Sequence, residues 1–590
     1  MTAQSLETDT PMDRGARLRR LALAAGILVC CFALCAWRGE FLYLTNDDAS
    51  VQSAMASALD GGPLPLNLVS RIVSTAIVAP LYMAIPTVQW WHVYSVALLG
   101  MGALLLTYAI LLLCGTKKTG LVAGALLGLV LNLVLFAFPL CRVSFTTVPA
   151  VLGAGVLAWY FATPYRETLR VRVACVALFV LAISHRQASG LVPLCFFVLV
   201  VVYAALRQHG FALRSLVKAL PFLAVLGCVA AIMVFGGRAL NARVNSPEFQ
   251  EFNSARIRYM DYPHDSYEQN PALYEEVGWD ETLYRLVDDW CFMDDRVNAQ
   301  TLSHLSKNST ARSGGSPSLT NVREALDGIQ DNDVQAKVCI AAWGVTTLVA
   351  FVSLALGRDR LGLVTLLLCS LATLALLGYQ YVQGRILYRS LFVILAPSIA
   401  VGALLLARRM QDANRARLSY AAVLALCVLM LPLAFLSLRD TFDRESADQL
   451  MGSSAIEENI NRYAIAHKPT VFVRHMGVAS CTDPGALYPY DKPTNVFPWG
   501  GSQFGSNSFE AKLQKNDLDD LDGSVFRDKG ALFVSSTNID ELDPTDVDEY
   551  EDNLLVRTLR WQQERYGATG MHKVDDICDG AYVYQFEFGE

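Results

Sequence analysis

Residues Arg14–Trp37 read RGARLRRLALAAGILVCCFALCAW. Arg14, Arg17, Arg19 and Arg20 stand directly before an uninterrupted apolar run from Leu21 to Trp37. Such a run is a candidate membrane span, and the basic flank holds the N-terminus in the cytoplasm. No small-residue cleavage site follows before the next polar stretch, so the run reads as a signal anchor.

The rest of the chain repeats this pattern. Of its 590 residues, 53% are hydrophobic and 17% charged, with a mean hydropathy of +0.34. A soluble surface of this size would need more charge. Basic clusters recur at Lys117/Lys118, Arg166/Arg170/Arg172, Arg207/Arg214/Lys218, Arg358/Arg360 and Arg408/Arg409/Arg415/Arg417. Placing all of them in the cytoplasm gives spans at roughly 20–37, 91–113, 120–138, 143–162, 170–184, 190–206, 219–236, 338–356, 361–381, 390–407 and 418–437. The count is odd, which puts the C-terminus outside.

The expected fold class is an α-helical polytopic membrane protein of about eleven spans, with a small α/β extracytoplasmic C-terminal domain, in the plasma membrane. Its parts are a cytoplasmic N-terminus (1–19), a seven-helix membrane module (20–236) with a first outer loop (38–90), a large outer loop (237–337), a four-helix module (338–437) and an outer domain (438–590). Helical patterns at 445–466 and 545–566 alternate with strand-like runs at Thr470–His475, Ala531–Ser535 and Ala581–Phe588. Residues 66–86 do not fit as a span, because a crossing there would invert every later loop. Pro80 and Pro86 break the segment, and Ser70, Arg71, Ser74 and Thr75 give it a polar side, so it reads as a helix lying at the outer interface; the alternative is a true span with a neighbouring one miscounted. Most cysteines lie inside apolar runs. Cys481 and Cys578 are either one disulfide or two free thiols. Asn308–Pro317 is Ser/Gly-rich and reads as flexible.

Chemistry gathers on the outer side. Thr45-Asn46-Asp47-Asp48 follows the first span directly. Two adjacent carboxylates suit general-base work or a divalent cation, and acids at a helix start also serve as caps. Cations stand where the topology disfavours them, at the outer ends of spans: Arg142, His185, Arg186, Arg385 and Arg389. Charge flanked by apolar sequence is costly, and one anionic ligand at the interface, a lipid phosphate or pyrophosphate, accounts for the set. Singly, Arg142 and Arg186 would also snorkel to headgroups or pair with the acids. In the large loop, Asn253, Arg256 and Asp261 lie among aromatics, a mixture suited to sugar hydroxyls and pyranose faces and also to any partly buried interface. Asn495–Gly501, with Trp499, either lines the site from above or makes a turn. The chain has no Gly-rich nucleotide loop and no His/Cys metal spacing.

This layout resembles the GT-C superfamily of membrane glycosyltransferases. The resemblance lies in the order of parts: a cytoplasmic start, an acidic pair in the first outer loop, interfacial helices, seven spans, a large outer loop, further spans and an outer domain. It is similar in particular to a bacterial multi-pass branch with Asn-Asp-Asp after the first span, here Asn46-Asp47-Asp48. Leu81-Tyr82, Pro86, Trp90-Trp91, Phe145-Thr146-Thr147, Asn253–Arg256, Gly384-Arg385 with Arg389, and Gly500-Gly501 match it further on. The resemblance implies transfer of a sugar from a polyprenyl-phosphate-linked donor to a cell-envelope glycan or protein, with no nucleic-acid partner. Asp47 would be the base, Asp48 its neighbour or a metal ligand, and Arg142, His185, Arg186, Arg385 and Arg389 would hold the donor phosphate. It calls for no defined cofactor and admits a divalent cation (Mg or Mn) at Asp47 and Asp48. The chain departs from the oligosaccharyltransferase branch, lacking a Trp-Trp-Asp-Tyr/Trp-Gly motif, and from the aminoarabinose transferases, lacking Lys-Pro-Pro-Leu. Sugar and acceptor therefore stay open. The rival readings are a lipid or glycan transporter, which would want more ionisable residues at mid-membrane, and a non-catalytic envelope-assembly protein.

Overall fold

The structure is a computed structural model that describes residues 13–589 except 56–71, 115–116, 164–167, 211–212, 312–332, 384–385, 412–415, 480, 487–492, 502, 544, 547–549 and 551. Gly384-Arg385, most of the Ser/Gly-rich segment and Ser70-Arg71 thus lie outside the described residues.

Among the described residues, nine helices are long and apolar enough to cross a membrane, which makes the chain a multi-pass membrane protein. Each expected span has a helix. Those read at 143–162 and 170–184 are shorter, Thr147–Ala162 with 16 residues and Leu169–His185 with 17. The first is shortened because Arg142–Val143 leaves the helical path. It forms strand β2, which pairs in parallel with strand β1, Leu42–Tyr43, right after the first helix, Arg14–Arg38. The helix Leu213–Val244 has 32 residues, about 48 Å, and outruns the hydrocarbon thickness.

Burial separates inner helices from lipid-facing ones. Tyr388–Arg409 is 94% buried over its apolar window and Thr147–Ala162 is buried on nearly every side, which is why neither shows an amphipathic stripe. The helix Trp90–Leu113 crosses Thr147–Ala162 at glycines. A methyl group at Gly155 would collide with the Gly102 carbonyl, and one at Gly102 with the Val151 carbonyl. Without a hydrophobic drive between helices in lipid, this backbone contact is what dispersion attraction has to work with. Gly155→Leu is expected to cost about 3 kcal/mol or more by overpacking, seen as loss of the monodisperse peak when detergent extracts are run by size-exclusion chromatography.

The segment at 72–84 differs from the amphipathic reading in a telling way. Among the described residues Ile72–Ala84 is a helix of 13 residues, about 20 Å. Its polar side faces inward: the Ser74 amide donates to Ser184 Oγ at 2.8 Å and Ser74 Oγ lies 3.2 Å from the Tyr94 hydroxyl. Ile77 and Met83 are turned outward, Met83 with 71% exposure. The polar stripe is used for packing and the apolar one is left for lipid.

The large loop has a core of its own, around Tyr259, Trp279 and Leu302, and also packs against the tail, the two together being the polar body. After the helix Arg444–Ala466, strands β3 (Phe472–Arg474), β4 (Val496–Pro498), β5 (Leu532–Ser535), β6 (Ala568–Cys578) and β7 (Ala581–Phe588) make a sheet of order β4-β3-β5-β7-β6. Strand β3 is parallel to both neighbours, and β7 is antiparallel to both of its own. Leu286, Cys291 and Met293 of the large loop join the core of this sheet. Gly500 pairs with Cys291, an approach that only glycine allows because a methyl there would strike the Trp290 carbonyl. Asp294 seals the seam. Its Oδ2 accepts from Trp561 Nε1 at 2.8 Å and from Arg296 at 2.9 Å. Cys481 and Cys578 are free thiols.

A candidate active site at the first loop

The β1–β2 pair is the frame. The Tyr43 amide donates to the Thr482 carbonyl at 2.7 Å and the Leu44 amide to the Val143 carbonyl at 2.8 Å, so the first loop is gripped between β2 and the tail. The chain then turns into the helix Asn46–Met55, whose first turn carries Asp47 and Asp48. The Tyr43 hydroxyl donates to Gln52 Oε1, and Gln52 Nε2 donates to the Pro484 carbonyl at 3.0 Å, pinning the helix to the polar body.

Asp48 is fully buried. Its Oδ1 accepts from the Phe145 amide at 2.7 Å, so this acid serves a different segment rather than capping its own helix. Among the described residues its Oδ2 has no hydrogen-bond partner. Burial pushes its pKa well above the usual carboxylate value. The Phe145 hydrogen bond and the charges of Arg186 and Arg389 oppose that, and Asp47 adds to it. Asp47 is half-exposed and ion-paired with Arg389 at 3.2 Å. Arg186 donates to Thr146 Oγ1 and stacks over the Phe145 ring with its guanidinium carbon 4.5 Å from the centroid. Arg256 is buried, donates to Asn253 Oδ1 at 2.6 Å and lies over Trp290 at 5.2 Å. Burial lowers its pKa, against the charges of Asp261 and Asp47.

Asp47, Asp48, Arg186, Arg389 and Arg256 therefore share one electrostatic neighbourhood, drawn from the first loop, two hairpins and the large loop. Asp261 faces it through Arg256. Burial favours the uncharged form of Asp48; beside it, among the described residues, stand three guanidiniums (Arg186, Arg256, Arg389) and two further carboxylates (Asp47, Asp261). The surplus is positive.

Other candidates sit elsewhere. Arg142 donates to the carbonyls of Glu40 and Cys141, each at 3.1 Å, and the acids that act on it are Asp440, Glu40 and Asp443. It ties the start of the first loop, at Glu40, to the end of the short helix Ala137–Cys141. His185 is buried between Trp91 and Tyr94, with ring centroids 4.4 and 5.8 Å away, and its Nε2 lies 3.0 Å from Ser95 Oγ. It packs the helices behind the site. The expectation that Trp499 contacts substrate is corrected: the side chain is 1% exposed and enclosed by Phe533, Trp561 and Phe526 in the core of the polar body. Arg385 lies outside the described residues. Tyr43, Gln52, Thr482 and Pro484 join the site without any local signal in the sequence to mark them.

The described residues hold no group of three or more His, Cys, Asp or Glu side chains suited to a metal. Asp47 is engaged by Arg389.

No family model and no curated protein matches the chain. Among solved structures, ArnT from Cupriavidus metallidurans bound to undecaprenyl phosphate aligns at 15% identity and a TM-score of 0.39, covering 97% of this chain and 98% of that one. The Archaeoglobus fulgidus oligosaccharyltransferase, in complex with Zn and sulfate, aligns at 12% identity and a TM-score of 0.39, covering 96% of this chain and 73% of that one. At these scores neither likeness fixes an activity.

Proposed function

We propose that the chain is a membrane glycosyltransferase that moves a sugar from a polyprenyl-phosphate donor to a cell-envelope acceptor at the extracytoplasmic face. The observation that carries this is the convergence of Asp47 and Asp48 with Arg186, Arg389 and Arg256 where the helices meet the polar body. The half-exposed carboxylate of Asp47 takes the proton of the acceptor hydroxyl as its oxygen attacks the anomeric carbon. The bond from that carbon to the phosphate oxygen breaks, and the electron pair leaves on the phosphate. Arg389 and Arg186 stabilise the charge that gathers there. Arg389 acts twice, holding Asp47 in the resting state and turning to the phosphate when the donor is present. Burial favours the uncharged form of Asp48, which leaves the guanidiniums in excess.

The experiment is to incubate membranes containing the protein with a panel of labelled polyprenyl-monophosphate hexoses and pentoses. Label should pass to an envelope fraction with wild type and fall to background in vector-only membranes. No transfer from any member of the panel would overturn the reading. Arg389→Gln should lower kcat/KM by roughly 10- to 100-fold, the worth of one or two charge-assisted hydrogen bonds, with much of the change in KM for the donor.

A further inference from the structure

At the other end of the membrane module, Tyr160, Arg172, Val201, Ala204, Ala205, Lys218, Ala219 and Phe222 line a shallow recess open to its surroundings. Arg172 and Arg186 cap opposite ends of the helix Leu169–His185, fourteen residues or roughly 21 Å apart along its axis, so the recess lies on the membrane face opposite the acid pair.

The lining of this recess carries two cations and no acid. From Thr168 to Val244 the sequence contains no Asp or Glu. Among the described residues neither Arg172 nor Lys218 has a carboxylate partner. Arg172 lies over the Phe222 ring at 5.3 Å, while its Nε is buried without a hydrogen-bond acceptor. Lys218 Nζ is 3.3 Å from His209 Nδ1. Arg207 stands nearby on the helix Gln187–His209, donating to the Tyr203 hydroxyl at 3.0 Å. Two other cations at this end reach helix ends: Arg20 donates to the carbonyls of Leu111 and Leu112 at 2.9 and 3.1 Å, and Arg409 donates to Ser353. The recess holds two cations without a carboxylate partner among the described residues, two aromatic rings and three alanines. It opens beside helix Leu213–Val244, whose Leu216, Val217 and Leu220 side chains are exposed as lipid-facing residues would be.

We infer that this recess binds the phosphate of an anionic membrane lipid, with Arg172 and Lys218 on the phosphate oxygens and the acyl chains along Leu213–Val244. A basic pocket between helices next to lipid is the geometry in which a phosphate headgroup gains charge pairing and its tails stay in hydrocarbon. The assignment is independent of the chemistry at Asp47.

The test uses the full chain purified in detergent and examined by native mass spectrometry with added phosphatidylglycerol, phosphatidylcholine or inorganic phosphate. Phosphatidylglycerol should be retained in preference to phosphatidylcholine, and inorganic phosphate should not displace it at equal concentration. Lys218→Gln and Arg172→Gln should each weaken retention about fivefold, and the double variant more. Lys218 is exposed, so its variant reports on binding without a folding penalty, and a thermal melt in phosphatidylglycerol gives a second readout. Equal retention by wild type and both variants would overturn the inference, as would displacement by inorganic phosphate, which would assign the recess to a soluble anion.

Discussion

Asp47→Asn is expected to lower sugar transfer by about 10²- to 10⁴-fold, the range a positioned general base supplies, while the melting temperature stays close to wild type. The carboxylate is half-exposed and its pair with Arg389 is open to solvent, so removing its charge costs stability of about 1 kcal/mol or less. Asp48→Asn separates the two acids by a different signature. Asp48 has a folded pKa above its unfolded one, so the native state holds a proton that the unfolded chain gives up. Stability from this group is present below the ordinary carboxylate range and is lost as pH rises through the raised value. The amide keeps an oxygen for the Phe145 donor and carries no charge. The variant should therefore match or exceed wild-type stability at pH 8 and lose its advantage at pH 5, measured by thermal melts of purified protein. Wild-type transfer in the Asp47→Asn protein would remove Asp47 from the mechanism.

The second large effect is expected far from the chemistry. Asp294→Ala should destabilise the polar body by about 3–5 kcal/mol, because it leaves buried partners of a carboxylate without their acceptor. Arg296 and Trp561 both donate to Asp294, and Arg565 lies 3.6 Å from it. Burial pushes this carboxyl up, yet the bonds from Arg296 and Trp561 hold it at about 2. The sign is opposite to that of Asp48: its contribution is complete above the ordinary carboxylate pKa and is lost only as pH falls toward 2. Limited proteolysis should show the variant cut first within 245–311 or in the tail. A variant as resistant as wild type would mean that the seam is held by the shared apolar core alone.

The membrane helices are legible because runs of apolar residues and basic flanks are local signals, imposed by the bilayer on each segment separately. The span expected from residue 143 begins four residues later because Arg142–Val143 pairs with Leu42–Tyr43, a contact between segments a hundred residues apart. Strand β6 escapes a pattern-based reading for a related reason: ATGMHKVDDIC is an exposed edge strand without apolar alternation. In the candidate site, Arg142, His185 and Arg186 look alike in sequence, each a cation between apolar stretches. Only packing tells them apart: one ends on backbone carbonyls, one among aromatic rings and one beside Asp48. Trp499 misleads because its neighbours Pro498, Gly500 and Gly501 are turn formers, whereas Gly500 serves to bring Cys291 close.

The bonds from Tyr43 to Thr482 and from Gln52 to Pro484 set an order on biosynthesis. They join residues more than four hundred positions apart. A nascent chain inserts its first helix early, but the clamp that fixes Asp47 and Asp48 is not translated until most of the polypeptide has left the ribosome. The strand pair with Arg142–Val143 and the Phe145 bond to Asp48 can form early, so the tail adds the last part of the frame around the acids.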